Sequence, residues 1–110
     1  GVEGLFLFDT GAARSMLARS FVDAVPGAQV AAAAGVRTYG GNVAGASSVR
    51  GVKLRFLDVL STGGSVYTSD LTQRSRLGGV EISGFLGMDL LDRTTIVIDT
   101  RARKVAVVTP

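Results

Sequence analysis

The apolar positions of this chain fall in short runs rather than in long helical stripes. Leu5, Phe6, Leu7 and Phe8 form a continuous apolar run of strand length, and Thr10-Gly11 follows at once, which places Asp9 where a buried strand turns into a loop. Met16, Leu17, Phe21, Val22 and Val25 keep a partly helical spacing that Pro26-Gly27 ends, so a strand-to-short-helix passage is expected between Ser15 and Val25. Val52, Leu54, Phe56 and Val59 then alternate with Lys53 and Arg55 as the two faces of a half-buried strand. Ile82, Phe85 and Leu86 lead into Gly87. Met88 to Arg93 reads as one or two helical turns, Thr94 to Ile98 as a strand, and Val105 to Val108 as a closing strand after a turn. Glycines punctuate these pieces throughout, the pattern of many short strands joined by tight turns. The fold class is mainly β, with no internal repeat and no low-complexity linker.

A length of 110 residues fits a single domain spanning residues 1–110. Hydrophobic residues at 46% against 19% charged give it enough apolar material for a core. The two zeros are more informative. With no His and no Cys, the chain cannot build a Ser-His-Asp triad, a Cys-His pair, a zinc helix or a thiolate metal site, so no metal is expected. Acid-base work falls to nine carboxylates, two Lys and two Tyr, and Asp or Glu is the expected agent of any catalysis. The net charge of +3 is modest, and its one dense cluster, Arg101, Arg103 and Lys104, has no interleaved aromatics for stacking bases. That cluster suits a turn between strands, and no nucleic-acid partner is expected. The longest apolar run, Val30 to Val36, falls far short of the ~20 residues that span a bilayer, so no membrane span is expected in this segment. The chain opens without Met shortly before an apolar stretch, which reads as a domain cut from a longer precursor. An absence of cysteine fits reducing and oxidising compartments equally and leaves localisation open.

Asp9-Thr10-Gly11-Ala12 sets a carboxylate at the rim of an apolar run, a setting expected to desolvate it. Gly11 permits a tight turn in which its amide reaches a carboxylate, and Thr10 offers a short hydroxyl for tying the loop to another copy. About 75 residues further on stands Gly84-Phe85-Leu86-Gly87-Met88-Asp89-Leu90-Leu91, followed by Thr95-Ile96-Val97-Ile98-Asp99. Hydrophobic-Asp-Thr-Gly-Ala, a glycine-rich middle, then hydrophobic-hydrophobic-Gly opening a short helix and a final strand pair resembles the retropepsin-like aspartic proteases, their bacterial-type relatives included. The match runs from Leu5 to about Val108.

The resemblance implies a partly closed β-barrel with one short C-terminal helix. It implies an aspartic endopeptidase acting on an extended peptide or protein, with no cofactor, in which Asp9 is catalytic and Thr10, Gly11 and Ala12 support the active loop. The chain holds one Asp-Thr-Gly, and Asp99-Thr100-Arg101 has Arg where Gly is needed, so it reads as structural and a homodimer is expected to bring two Asp9 carboxylates together. By the family pattern, Thr10 hydrogen-bonds across the dimer and Gly11 meets substrate backbone. Tyr39-Gly40-Gly41-Asn42, continuing through Gly45, is the candidate flap, while Gly84, Phe85, Leu86 and Gly87 form the second motif. Leu5, Phe6, Leu7, Phe8, Phe85 and Leu86 are expected to pack deeply around Asp9. Departures are Ala13, where relatives commonly carry Ser or Asp, and Met88, where many viral ones carry Arg. Asp89 and Arg14 are near enough in the family layout to form a different pair, read here as a solvated surface pair, and the amino terminus is short where relatives usually have another strand or hairpin before the one entering the active loop. Two other readings stand beside the protease: an inactive dimerisation or peptide-binding module of the same fold, and an unrelated small β-barrel whose motifs are incidental turns.

Overall fold

The computed structural model describes residues 1–32, 37–38, 41–42, 46–57, 60–61, 66–92 and 94–108. The chain begins with β1 (Phe6–Phe8), β2 (Met16–Ala18), a single turn α1 (Arg19–Val22) and β3 (Gln29–Ala32). A hairpin of β4 (Arg37–Thr38) and β5 (Gly41–Asn42) precedes β6 (Ser47–Arg50), and a second joins β7 (Arg55–Phe56) to β8 (Leu60–Ser61). Then come β9 (Val66–Ser69), α2 (Thr72–Gly78), β10 (Gly84–Leu86), α3 (Met88–Leu91) and a hairpin of β11 (Thr95–Asp99) with β12 (Lys104–Val108).

Six of these strands form one mixed sheet in the order β1-β10-β2-β9-β6-β3. β10 runs parallel to β1, with Phe6 opposite Gly84 and Phe8 opposite Leu86, and antiparallel to β2, with Gly84 opposite Leu17. Two strands consecutive in sequence are thereby held one strand apart. The loop that joins them, residues 9–15, arches over the C-terminal end of β10. Gly84 permits the close approach: a Cβ there would run into the Met16 carbonyl oxygen and stand 2.9 Å from the Phe6 ring.

The strand period of two sends Leu17 to one face of this sheet and Met16 and Ala18 to the other. On the first face Leu17, Val49 and Val66 are fully buried with Val22, Leu54, Leu86, Leu90 and Leu91. Phe6 meets Phe21 edge-on at 5.7 Å, and Phe8 lies against Phe56 at 5.9 Å, both beside this layer. On the second face Met16, Ala18, Ala46, Leu71, Ile82 and Phe85 make a smaller core. Apolar layers on both faces explain why the sheet strands carry so few charged residues.

The mainly β class is observed, with differences in detail. Among the described residues the sheet does not close into a barrel: β1 and β3 are its edges, and the three hairpins stand as separate two-stranded sheets. The expected strand from Val52 shrinks to Arg55–Phe56, although Leu54 is buried and Lys53 and Arg55 are exposed as the alternation requires. Leu57 adopts a left-handed φ of 54° and turns the chain out of line, and Val59 lies outside the described residues. The strand-to-short-helix passage expected between Ser15 and Val25 is β2 followed by α1, and α3 is the short helix expected after the second motif, but α2 is helical as well. α2 has no apolar stripe, and its Leu77 is 82% exposed, so periodicity carried no signal for it. Its ends are set chemically: the Asp70 carboxylate accepts from the Thr72 amide at 2.9 Å and the Thr72 hydroxyl at 2.5 Å, and Gly79, at a φ of 71°, stops the helix. None of the described helices is long and apolar enough to cross a membrane.

Candidate active site

β1 delivers Asp9 to the end of the sheet. The Asp9 amide donates to the Leu86 carbonyl at 3.0 Å, extending the β1–β10 ladder by one residue before the chain turns. Ala12 then closes the turn by donating to the Asp9 carbonyl at 3.2 Å, and the Gly11 amide donates to Asp9 Oδ1 at 2.9 Å. The carboxylate is fixed by its own loop through one oxygen. Asp9 is half-buried, and Thr10 and Gly11 are exposed. A Cβ at Gly11 would sit 3.2 Å from Oδ1, so a side chain at this position crowds the carboxylate.

The second motif holds the other half of the loop. Met88 donates its amide to the Ala12 carbonyl at 2.7 Å and Asp89 to the Ala13 carbonyl at 3.2 Å. Ser15, with no exposed surface, joins the motifs: its hydroxyl accepts from the Gly87 amide at 2.9 Å and donates to Asp89 Oδ1 at 2.7 Å, and its amide donates to the same oxygen at 2.8 Å. Gly87 leaves no room for a side chain, since a Cβ would lie 2.6 Å from the Arg14 carbonyl carbon and 2.9 Å from the Ala12 carbonyl oxygen. The expected Asp89–Arg14 pair is thus replaced by Asp89–Ser15, and Arg14 is exposed. Met88 is itself 41% exposed beside the loop.

The strand period places Leu7 on the same face as Asp9, in register with Phe85, which is followed across the sheet by Met16 and Tyr67. These residues form an apolar shelf leading away from the carboxylate, in which Leu7 is exposed while Phe85 and Met16 are buried in the second core. The deep packing expected from Leu5, Phe6, Leu7 and Phe8 is only partly present, because β1 is an edge strand with two faces. Phe6 and Phe8 turn to the main core, whereas Leu5 and Leu7 are 55% and 42% exposed. Phe85 and Leu86 are buried, one in each layer. Arg74 of α2 stands over the Phe85 ring, its guanidinium carbon 4.8 Å from the centroid.

The candidate flap coincides with the β4–β5 hairpin, where Arg37 pairs with Asn42 and Thr38 with Gly41; Tyr39, Gly40 and Gly45 lie outside the described residues. Asp99 is a turn residue, its carboxylate accepting from the Ala102 amide at 2.8 Å, and Arg101, Arg103 and Lys104 surround that turn. A groove of about 990 Å³ among the described residues, lined by Phe6, Phe8, Phe56, Leu57 and Val105, opens on the opposite face from the shelf and does not include Asp9. Ser15 and Arg74 escape a reading of the sequence. Ser15 is one small polar residue beside an apolar run, and Arg74 lies in a uniformly polar stretch. Compared with protein-family models, with curated proteins and with solved structures, the chain finds no match.

Proposed function

We propose that this chain is a retropepsin-like aspartic endopeptidase that acts as a homodimer, with Asp9 of each subunit forming the catalytic pair. The observation that carries this reading is the convergence of the two motifs: Leu86, Gly87, Met88 and Asp89 each hold the loop bearing Asp9-Thr10-Gly11, from the far side of the sequence. A turn that merely reverses the chain has no need of seven residues clamped from a strand and helix so distant. The chain carries one such loop, so a second copy supplies the second carboxylate.

Two carboxylates facing each other cannot both ionise readily and share a proton. The ionised one takes a proton from a water whose oxygen attacks the scissile carbonyl carbon, while the protonated one donates to the carbonyl oxygen. Collapse of the tetrahedral species breaks the C–N bond, and a proton passes to the leaving amine. The Gly11 amide on Asp9 Oδ1 orients the carboxylate without a neighbouring histidine or metal, and the exposure of Thr10 supports a role in meeting the partner's loop. Exposed Leu7, on the same face as Asp9, favours an apolar side chain beside the cleaved bond, and the β4–β5 hairpin is the proposed flap over an extended peptide.

The test is cleavage of a mixed peptide library by the wild type and by Asp9→Asn, at high protein concentration across roughly pH 3 to 7. Cleavage that disappears in Asp9→Asn is the expected result. A stable dimer that cleaves nothing at any pH would replace the protease by a binding module of the same fold.

A further inference from the structure

Arg74 is the one cation that the described structure seats on the apolar shelf. It sits in the first turn of α2, and α2 is anchored just before its start and again at its middle. Leu71, just before the helix, is buried in the second core, and the Ser75 hydroxyl accepts from the amide of buried Ile82 at 2.9 Å. The guanidinium therefore rests on the Phe85 ring from an anchored helix, with little freedom left to lose on binding. Among the described residues it has no carboxylate partner. Asp70, at the start of the same helix, is engaged by Thr72 and feels Arg76 instead. Phe85 is paired with Leu7, two residues before Asp9, so the charge stands about one strand spacing, ~5 Å, to the side of the row that ends in the catalytic loop.

We infer that Arg74 forms a cationic subsite that takes a carboxylate side chain of the extended peptide lying on the shelf, an assignment that rests on the peptide-cleaving function proposed above. A guanidinium is weakly hydrated and presents a planar fork of donors, which suits bidentate recognition of Asp or Glu. The peptide class is thus apolar at the cleaved bond with an acidic residue close by. Because ring stacking covers Phe85, the guanidinium is what a substrate side chain meets there.

The experiment uses two peptide sets with an apolar centre and one flanking position at a time set to Glu, Gln or Lys. One set is cleavable; the other carries a reduced, uncleavable central bond and is read by fluorescence polarisation. Expected is a preference of about fivefold for Glu over Gln at one position, weakened by added salt. Arg74→Gln erases that preference while Gln peptides bind as before, Arg74→Lys keeps part of it, and Arg74→Glu turns it toward Lys. A Glu preference that survives Arg74→Gln, or none at any position, overturns the subsite. Uncleavable peptides bound with the Arg74-dependent preference, beside a complete lack of cleavage, sink the protease reading and leave the subsite standing. Cleavage without that preference does the reverse, and neither binding nor cleavage removes both.

Discussion

Replacing Ser15 with Ala removes one oxygen atom at the point where the two motifs meet. The hydroxyl is fully buried, accepts from the Gly87 amide at 2.9 Å and donates to Asp89 Oδ1 at 2.7 Å. Its loss strands a buried amide, which costs about 1–3 kcal/mol, and deletes a hydrogen bond to a charged acceptor, ordinarily about 1.5–3 kcal/mol. Asp89 is only half-buried and keeps the Ser15 amide, so the second contribution belongs at the low end of its range. A total of about 3 kcal/mol follows, a large share of the ~5–15 kcal/mol that holds a domain of this size folded. With a urea m-value near 1.5 kcal/mol per molar, the unfolding midpoint falls by about 2 M at unchanged slope. The double variant Ser15→Ala, Asp89→Ala should cost clearly less than its two parts summed, because both remove the same bond. A midpoint shift worth under about 1 kcal/mol, or strict additivity of the pair, would refute the idea that this hydroxyl clamps the motifs together.

Three other substitutions probe separate parts of the structure. Gly87→Ala forces a Cβ to within 2.6 Å of the Arg14 carbonyl carbon, so the Asp9 loop must shift; a loss of about 3 kcal/mol in a thermal melt is expected and, on the proposed function, loss of peptide cleavage. Thr68→Val should stabilise by about 1 kcal/mol, because the Thr68 hydroxyl is buried with no hydrogen-bond partner and Val keeps its shape; a lower melting temperature would contradict this. Asp70 is held below its ordinary value by the Thr72 hydroxyl and amide and by Arg76, so the cap it provides is fully present above the unfolded carboxylate's pKa and is lost as pH falls through the lower folded one. An NMR titration should find the Asp70 carboxyl below the usual carboxylate range, with α2 amide shifts following it, and Thr72→Ala should return it toward normal.

What the sequence disclosed follows from how local each signal is. Leu5 to Phe8 ending in Asp-Thr-Gly locates a strand and its loop because both are encoded within a few residues, and the turn at Asp99 is written in the same local way. β11 and β12 were readable from their Ile and Val runs, paired as one hairpin from Thr95 opposite Val108 to Asp99 opposite Lys104. α2 was invisible, since a helix of Thr, Gln, Arg, Ser, Arg, Leu and Gly that buries none of its own residues has no period to find. The clamp at Ser15 was invisible for a different reason. Its partners lie 72 and 74 residues away, and only the placement of β10 between β1 and β2 brings them within reach. Burial of Leu5 and Leu7 was overestimated because an apolar run does not reveal that its strand will lie at an edge.

The insertion of β10 between β1 and β2 also sets an order of events at birth. β1 leaves the ribosome well before β10 and has no native sheet neighbour until residues near Gly84 follow; β2 can meet β9 sooner but lacks its other neighbour until then, and Asp9 has no clamp until Gly87 and Asp89 arrive. At synthesis rates of roughly 5–20 residues per second that interval lasts on the order of 4 to 15 s, during which the apolar run before Asp9 is unpaired and open to misassociation. Closing so many long-range contacts places the domain among slower folders for its length. A chain truncated before β10 would carry Asp9 without the strand that positions it.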